Sequence, residues 1–142
     1  MPRDPNCIFC KIVAGEIPTQ KVFETDCGLA FLDIGPLADG HLLWIPKEHY
    51  ETLHEMAGER VGSLCAPLPQ LGEAVKNVTA AAGYNVLQNN GRVAGQVVNH
   101  VHFHIIPRAE GDGLGYRWPA REYAQGRAEE LTERLRSALG ST

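Results

Sequence analysis

The sequence lacks several features that would assign it to a broad class. Among its 142 residues no apolar run approaches the ~20 residues of a membrane helix. The first ten residues contain no apolar core of the kind a signal peptide has. Polar tracts and runs of like charge are also absent, which excludes a disordered chain. The net charge of −4 argues against a protein that holds nucleic acid by its phosphates, because that needs a basic face. We therefore expect a folded cytoplasmic protein.

Cysteine is scarce, with only four in the chain. A chain of this length buries close to ~70% of the surface that it would expose unfolded, so it does not need disulfides to fold. In a reducing compartment the cysteines are expected to be thiols or metal ligands. Cys27 and Cys65 have no partner pattern and are predicted to be packing residues. No linker divides the chain, which predicts a single domain, 1–142.

Apolar periodicity and turn residues predict a mixed α+β fold. Three helical regions are expected: 8–13, 51–82 with a break or kink at its prolines and an end at Gly83, and 127–139 with one packed leucine seam. Five stretches are typical of strands: 22–24, 29–32, 41–45, 84–88 and 100–106. Strands in meander order, with helices inserted irregularly, indicate the α+β class.

The strongest chemical signal is a row of alternating histidines in the last predicted strand. Because side chains alternate between the faces of a strand, His100, His102 and His104 would point the same way, with Val101 and Phe103 towards the core. The outer two would then lie ~13 Å apart at a rise of ~3.3 Å per residue. That distance disfavours one zinc shared by the row, unless the strand bends. A plain half-exposed face is the structural alternative.

A row of neutral imidazoles is suited to nucleophilic and general base chemistry near pH 7. The polar segment 89–96 just before the row is predicted to be a loop. Its glycines and backbone N–H groups suit an anion such as phosphate. An imidazole nucleophile beside an anion cradle suggests phosphoryl or nucleotidyl transfer through a histidine intermediate.

The strand matches the His-apolar-His-apolar-His-apolar-apolar signature of the histidine triad (HIT) family. Other family motifs occur in order and at the family's spacings, at 7–12, 30–34, 40–49 and 95–96. The chain thus resembles the HIT family over roughly 7–108, which leaves 109–142 as a C-terminal extension. Within the family it is similar to the bacterial nucleotide-binding hydrolases that keep an N-terminal Cys-x-x-Cys.

The resemblance implies a homodimer with a HIT-like fold, in which an antiparallel sheet of about five strands carries a long helix and a C-terminal helix. It implies cleavage at the α-phosphate of purine nucleoside phosphoramidates, adenylated compounds or dinucleoside polyphosphates. His102 would be the nucleophile that becomes nucleotidylated, and water would then release the nucleoside monophosphate. His104 would contact the phosphate oxygens, and His41 would support the proton network.

The resemblance also assigns the substrate-binding residues. Asp33 would accept hydrogen bonds from the ribose hydroxyls. The base pocket and the phosphate site would be formed by the remaining positions: Phe9, Phe31 and Ile34 for the base, and Asn89, Gly95, Gln96 and Val97 near the phosphate. Val97 departs from the Ser or Thr that is usual in the family. Its backbone N–H can still donate, but the side-chain hydroxyl is lost.

The Cys7-x-x-Cys10 pair alone is ambiguous between zinc, redox chemistry and packing. The Pro-rich start lacks the strand that would precede a thioredoxin-like motif. Together with His49 and His100 the pair makes a Cys2His2 set suited to structural zinc, and zinc-bearing members of the family are similar here. Two reduced thiols that pack at the domain edge are the alternative.

Two other functions remain open at this stage. A zinc ion among the histidine row could activate water, although the expected distances disfavour it. A nucleotide-binding sensor or adaptor with weak catalysis is the other alternative, and Val97 is the feature that supports it. Trp118 could reach the active site of a partner subunit or simply pack within its own chain.

Overall fold

The computed structural model describes residues 3–115 and 119–140. In chain order the elements are α1 (Ile8–Val13), β1 (Lys21–Glu24), β2 (Gly28–Leu32), β3 (Leu42–Pro46), α2 (Gly58–Cys65), α3 (Leu68–Thr79), β4 (Gly83–Gln88), β5 (Phe103–Arg108) and α4 (Arg127–Leu139). The chain folds as two compact units, Met1–Asp112 and Gly113–Thr142. The single-domain boundary of 1–142 therefore stays a prediction. None of the described helices has the length and apolar character of a membrane span.

All five strands form one antiparallel sheet in the order β1-β2-β3-β5-β4. The sheet lies in the first unit. This arrangement confirms the predicted α+β class and the predicted antiparallel sheet of five strands. It also places β3 and β5 side by side, with Leu43 opposite His104.

The two faces of the sheet bury different clusters. Alternation along β3 sends Leu42 and Trp44 to one apolar cluster, which includes Leu64 and Leu71 of α2 and α3. It sends Leu43 and Ile45 to the other, which contains residues of α1. Because His104 lies opposite Leu43 in the register, its side chain is on the α1 face. The candidate site is therefore built between the sheet and α1.

Trp44 is the largest fully buried side chain, and its Nε1–H donates to the carbonyl of Leu64 at 2.7 Å. This bond satisfies the one polar atom of the ring. A Cβ at Gly28 would lie 2.3 Å from the Trp44 ring, so the neighbouring strand needs glycine there. Trp44 is therefore a core residue whose ring packs directly against Gly28.

The last strand begins later than predicted, at Phe103 rather than His100. The chain before it leaves the ladder because the Val101 N–H donates to the carbonyl of Tyr50 at 2.7 Å. The three histidines therefore do not all lie within the strand. Their predicted orientation is confirmed, because Val101 and Phe103 lie in the core cluster of Trp44. Phe9 of α1 contacts the rings of His100 and His102, and His104 lies on the same face of the sheet.

The long helical region is divided as its prolines predicted. Pro67 is the N-cap of α3, where the lack of an N–H costs nothing, and Pro69 lies in its first turn. The helix ends at Thr79 and not at Gly83, because Ala80 takes a left-handed conformation with φ of 55°. Its N–H donates to the carbonyls of Asn77 and Lys76, which caps the helix.

The C-terminal helix has the predicted bounds, but its leucine seam is not buried. Leu135 and Leu139 are 60% and 78% exposed. Ion pairs between residues three or four apart stabilise the helix locally, among them Arg127–Glu130 and Arg136–Glu133. The expected packing of the seam is therefore absent from the described part of this single chain.

Candidate active site and metal centre

A cavity of about 440 Å³ opens between α1, β2, β3 and the loop before β5. Its volume is in the range of small-molecule sites. Eight of the residues predicted for the active site line it: Phe9, Phe31, Asp33, Ile34, Gly95, Val97, His102 and His104. Its remaining walls are mostly apolar, while the two imidazoles and the Asp33 carboxylate supply polar groups.

His102 is held in a single tautomer by the backbone. Its Nδ1 lies 2.7 Å from the carbonyl oxygen of His100. A carbonyl can only accept, so Nδ1 carries the proton and Nε2 keeps a lone pair. Burial lowers the pKa of His102 below its ordinary value. The imidazole is therefore neutral at pH 7, which is the nucleophilic form.

His41 and His104 form a relay in which donors and acceptors alternate. The Leu37 N–H donates to Nδ1 of His41 at 3.1 Å, so the proton of that neutral ring is on Nε2. His41 Nε2 lies 2.9 Å from Nδ1 of His104 and donates to it. The proton of the His104 ring is then on Nε2. His104 lines the cavity, so this N–H is a donor for a bound anion.

Burial sets the charge of this relay. It lowers the pKa of His104 to about 4 and lowers the pKa of His41, although the nearby Asp33 carboxylate opposes the shift in both. Asp33 itself is held by the Gly35 N–H, which donates to its Oδ1 at 2.9 Å. Oδ2 lies 3.6 Å from His41 Nε2. The site thus combines neutral imidazoles with one fixed carboxylate.

Asp33, His41 and His104 are also close enough to share a metal ion, since one ligand atom from each lies within 4.8 Å of the others. The hydrogen bonds of His41 argue against a metal at this position. With the Leu37 N–H on Nδ1 of His41, its Nε2 carries hydrogen and offers no lone pair. We therefore treat these residues as a proton-bearing network.

Asn89 and Gln96 do not line the main cavity. The Gln96 side chain is buried, accepts from the Gly91 N–H at 2.7 Å and donates to the carbonyl of Glu51 at 2.6 Å. Asn89 donates to the carbonyl of Gly95 at 3.4 Å. Both side chains therefore bind backbone groups of the loop between β4 and β5. Their predicted contact with phosphate stays a prediction.

Val97 is 90% exposed. It lines both the main cavity and a neighbouring one of about 470 Å³. Val97 thus lies where the two cavities meet. The predicted position of Val97 near the phosphate is compatible with this location. Trp118, whose role the sequence left open, lies outside the described residues.

Several groups that build the site were not predicted from the sequence. The apolar wall includes residues to which no role was assigned, among them Ile8, Ile12, Ile17 and Val98. A signal for Ile8 and Ile12 was available, because both lie in the family motif at 7–12. The N–H of Leu37 had no signal at all, since any residue can supply it.

Cys7, Cys10, His49 and His100 converge beside the active site and could hold a metal ion. His49 Nδ1 and His100 Nδ1 are 3.2 Å apart, and each lies 3.4 Å from a cysteine sulfur. Tetrahedral bonds of ~2.0 Å to nitrogen and ~2.3 Å to sulfur give edges of about 3.3 Å and 3.5 Å. The donor set therefore fits a tetrahedral cation.

Outer hydrogen bonds orient these ligands. His100 is fully buried, and its Nε2–H donates to the carbonyl of Pro46 at 2.9 Å. This bond leaves the Nδ1 lone pair facing the cluster. The N–H groups of Cys10 and Asp4 approach the sulfurs of Cys7 and Cys10 at 3.4 Å. Such bonds support thiolates.

Comparison with known proteins agrees with this architecture. The model of the HIT domain matches residues 14–111. Adenosine 5'-monophosphoramidase hnt1 of Schizosaccharomyces pombe is 49% identical over 138 residues, which cover 94% of this chain and 98% of that protein. A crystal structure of a Streptococcus mutans protein has a TM-score of 0.92 and 40% identity, with coverage of 96% of this chain and 87% of that one.

A third similar protein bears on the metal. The structure of a Zn-bound histidine triad family protein from Mycobacterium smegmatis has a TM-score of 0.73 and 36% identity, and the alignment covers 94% of this chain and 97% of that one. The similarity of these proteins extends over nearly the whole chain. On the family match and on these relatives, the chain belongs to the histidine triad (HIT) family.

Proposed function

We propose that the protein is a nucleotide hydrolase that cleaves purine nucleoside phosphoramidates at the α-phosphate through a nucleotidyl-His102 intermediate. Adenylated compounds and dinucleoside polyphosphates belong to the same substrate class. One observation carries the proposal: His102 lines the cavity with Nδ1–H committed to a carbonyl and a lone pair on Nε2. The relative from S. pombe, named adenosine 5'-monophosphoramidase, supports the choice of an adenosine substrate.

In the first step, His102 Nε2 bonds to the α-phosphorus as the bond from phosphorus to the leaving group breaks. The leaving group departs with the electron pair and takes up a proton. The His102 ring becomes a nucleotidylated imidazolium, and its Nδ1–H remains bonded to the His100 carbonyl. This acceptor stabilises the positive charge that develops on the ring.

The other residues bind and orient the phosphate. His104 Nε2–H donates to a phosphoryl oxygen, and His41 holds the ring in that tautomer. Asp33 accepts from the ribose hydroxyls, while Phe9, Phe31 and Ile34 enclose the base. In the second step water bonds to phosphorus and loses a proton. The electron pair returns to His102 Nε2, and AMP leaves.

The test is AMP release from adenosine 5'-phosphoramidate and from diadenosine tetraphosphate, by the wild type and by His102→Asn, each with and without a chelator. We expect release that needs His102 and continues while the chelated protein stays folded. Release that stops at once on chelation, with the fold intact by circular dichroism, would instead favour water activated by a metal. Full activity of His102→Asn would refute the covalent mechanism.

A nucleotide-binding module with weak catalysis is the second candidate, and the exposed Val97 favours it because no hydroxyl is available there for the leaving group. The same experiment separates the two functions. AMP that binds tightly to a protein without turnover of either substrate would support the binding module.

We propose zinc as the ion of the Cys7, Cys10, His49 and His100 cluster. The tetrahedral spacing of two sulfurs and two nitrogens supports zinc, as does the Zn-bound relative. Bound there, zinc would stabilise the fold, because four protein ligands leave no open position for a substrate. Elemental analysis of the purified protein should find about one zinc per chain.

We propose that the protein forms a homodimer through the β4 edge of the sheet. Among the described strands β4 pairs only with β5, so its other edge presents backbone groups that no described strand pairs. Tyr84 and Val86 on β4 are exposed apolar side chains, as is Val78 on α3, the helix that contacts β4. Light scattering should give twice the monomer mass, and Val86→Lys should lower the measured mass.

The cytoplasmic location expected from the sequence stays a prediction.

A further inference from the structure

We propose that the Cys7–Cys10–His49–His100 cluster positions the nucleophile and the base pocket, so that metal loading and nucleotide binding are thermodynamically coupled. The inference rests on the proposed function and goes beyond a stabilising role for the ion. Two separate connections run from the cluster into the active site.

The first connection passes through His100. Its side-chain Nδ1 lies within the cluster, 3.4 Å and 3.6 Å from the two sulfurs. Its carbonyl accepts from Nδ1 of His102 at 2.7 Å. The residue has no exposed surface, and the Pro46 carbonyl fixes the far side of its ring. A shift of the His100 ring therefore moves the acceptor that sets the tautomer of His102.

The second connection passes through Phe9, which lies between the two cysteines in α1. This helix has only six residues, too few to be stable alone. Its N-cap is the Cys7 sulfur, which accepts from the Cys10 N–H. Phe9 contacts the His102 ring edge-on, with centroids 5.1 Å apart, and lines the cavity. The cluster thus holds the helix that carries this wall of the pocket.

The donor set explains why the ion matters to this geometry. Nδ1 of His100 has a lone pair, because its Nε2–H donates to the Pro46 carbonyl, and Nδ1 of His49 lies 3.2 Å away. Without a cation the four groups are joined only by hydrogen bonds in which a thiol is a weak donor, so the segments that carry them are held less firmly than by one ion bound to all four. We expect AMP affinity to fall on the order of 10-fold, as for other groups that orient a binding residue without touching the ligand.

The experiment compares the zinc-loaded, chelated and zinc-reloaded wild type at a temperature where circular dichroism shows a folded chelated protein. AMP binding is measured by calorimetry, and the His102 tautomer by ¹⁵N shifts of its ring. We expect weaker binding and a mixed tautomer after chelation, both restored by zinc. Equal AMP affinity and an unchanged tautomer in the three samples would overturn the proposal.

Val75→Ala is the control for stability. Val75 is buried in the cluster on the opposite face of the sheet, and neither Phe9 nor His100 belongs to that cluster. It should lower the melting temperature and leave AMP affinity and the tautomer unchanged. A loss of affinity in Val75→Ala equal to that of the chelated protein would mean that general destabilisation, and not positioning, explains the effect.

Linkage gives a second measurement if the chelated protein unfolds. His49→Ala removes one ligand but keeps the connections through Phe9 and His100, so its zinc should exchange reversibly. Saturating AMP should tighten zinc binding by the same factor by which zinc tightens AMP binding. Equal zinc affinity with and without AMP would overturn the proposal. Neither measurement needs turnover, so a failure of the hydrolase mechanism would be visible separately in the AMP release assay.

Discussion

Two pairs of histidines lie beside the same nucleophile and are built for different tasks. Between His41 and His104 the nitrogens are 2.9 Å apart, and between His49 and His100 they are 3.2 Å apart. The distances are similar, but in each pair the other nitrogen of one ring has a different backbone partner. The Leu37 N–H leaves His41 with a donor towards its neighbour. The Pro46 carbonyl leaves His100 with a lone pair towards its neighbour.

The comparison teaches that backbone groups choose the chemistry of an imidazole. An alternating donor and acceptor make a proton network, whereas converging lone pairs make a metal site. Residue type and distance alone do not separate the two cases. Four predictions test the two histidine pairs and the site that they serve.

The largest effect is expected from Cys10→Ala, which should remove zinc. A ligand present at 1,000 times its Kd stabilises the folded state by about 4 kcal/mol, so the unfolding free energy should fall by a similar amount. Urea denaturation with elemental analysis measures both. Cys65→Ala is the matched control, because Cys65 is outside the cluster. A protein that keeps its zinc after Cys10→Ala would contradict the ligand assignment.

The proton network is tested by His41→Phe, which keeps a ring but removes the donor to His104. The expected loss in kcat is about 10²-fold, at the lower end of acid–base effects. Zinc content should remain that of the wild type. His54→Phe is the control, because His54 is exposed and its hydrogen bond is to Thr52. The kcat of this variant should equal that of the wild type. An unaltered kcat in His41→Phe would remove His41 from the mechanism.

Acid should destabilise the fold through the proton network. The folded pKa of His104 is about 4, below its unfolded value near 6.5. Between these values the unfolded chain binds more protons, so the unfolding free energy falls as the pH is lowered from 6.5 towards 4. One such group contributes at most ~1.4 kcal/mol per pH unit.

His104→Gln supplies the control, since an amide does not titrate. Denaturation curves at pH 7.0, 5.5 and 4.5 should show a shallower loss of stability in this variant than in the wild type. Parallel losses in the two proteins would assign the acid sensitivity to other groups.

The sequence predicted most of the fold and much of the candidate site, for identifiable reasons. Apolar alternation, glycines and prolines are local signals, and they located the five strands and the division between α2 and α3. The bend before Phe103 depends on a hydrogen bond from Val101 to Tyr50, fifty-one positions earlier in the chain. Contacts at that separation leave no periodic signal.

The histidine row shows the same limit within the site. The three rings share the α1 face, as alternation predicts, but they have different partners. His100 lies with the cysteines, whereas His102 and His104 line the cavity. The resemblance to the family supplied this division of roles, which residue spacing alone did not. The tautomers could not be predicted, because they depend on the N–H of Leu37 and the carbonyls of Pro46 and His100.

The smallest effect concerns Val97, at the mouth of the site that the proton network serves. Val97→Ser restores a hydroxyl that can donate to the departing nitrogen of a phosphoramidate. One such hydrogen bond contributes about 1 kcal/mol, or about fivefold in rate. The leaving group of diadenosine tetraphosphate is a stable phosphate anion that does not need this proton. We therefore expect the serine to raise kcat for the phosphoramidate alone and so to change the ratio of the two rates.

Val93→Ser is the matched control, since Val93 is exposed on the same loop but does not line either cavity at Val97. It should leave both rates unchanged. If Val97→Ser also leaves the ratio unchanged, the departing nitrogen takes its proton from water or from the substrate. The neutral imidazoles would then complete the reaction without a side-chain donor at the mouth. A fivefold change would instead mean that the proton network reaches only the attacking side of the phosphate, and that position 97 governs the leaving side.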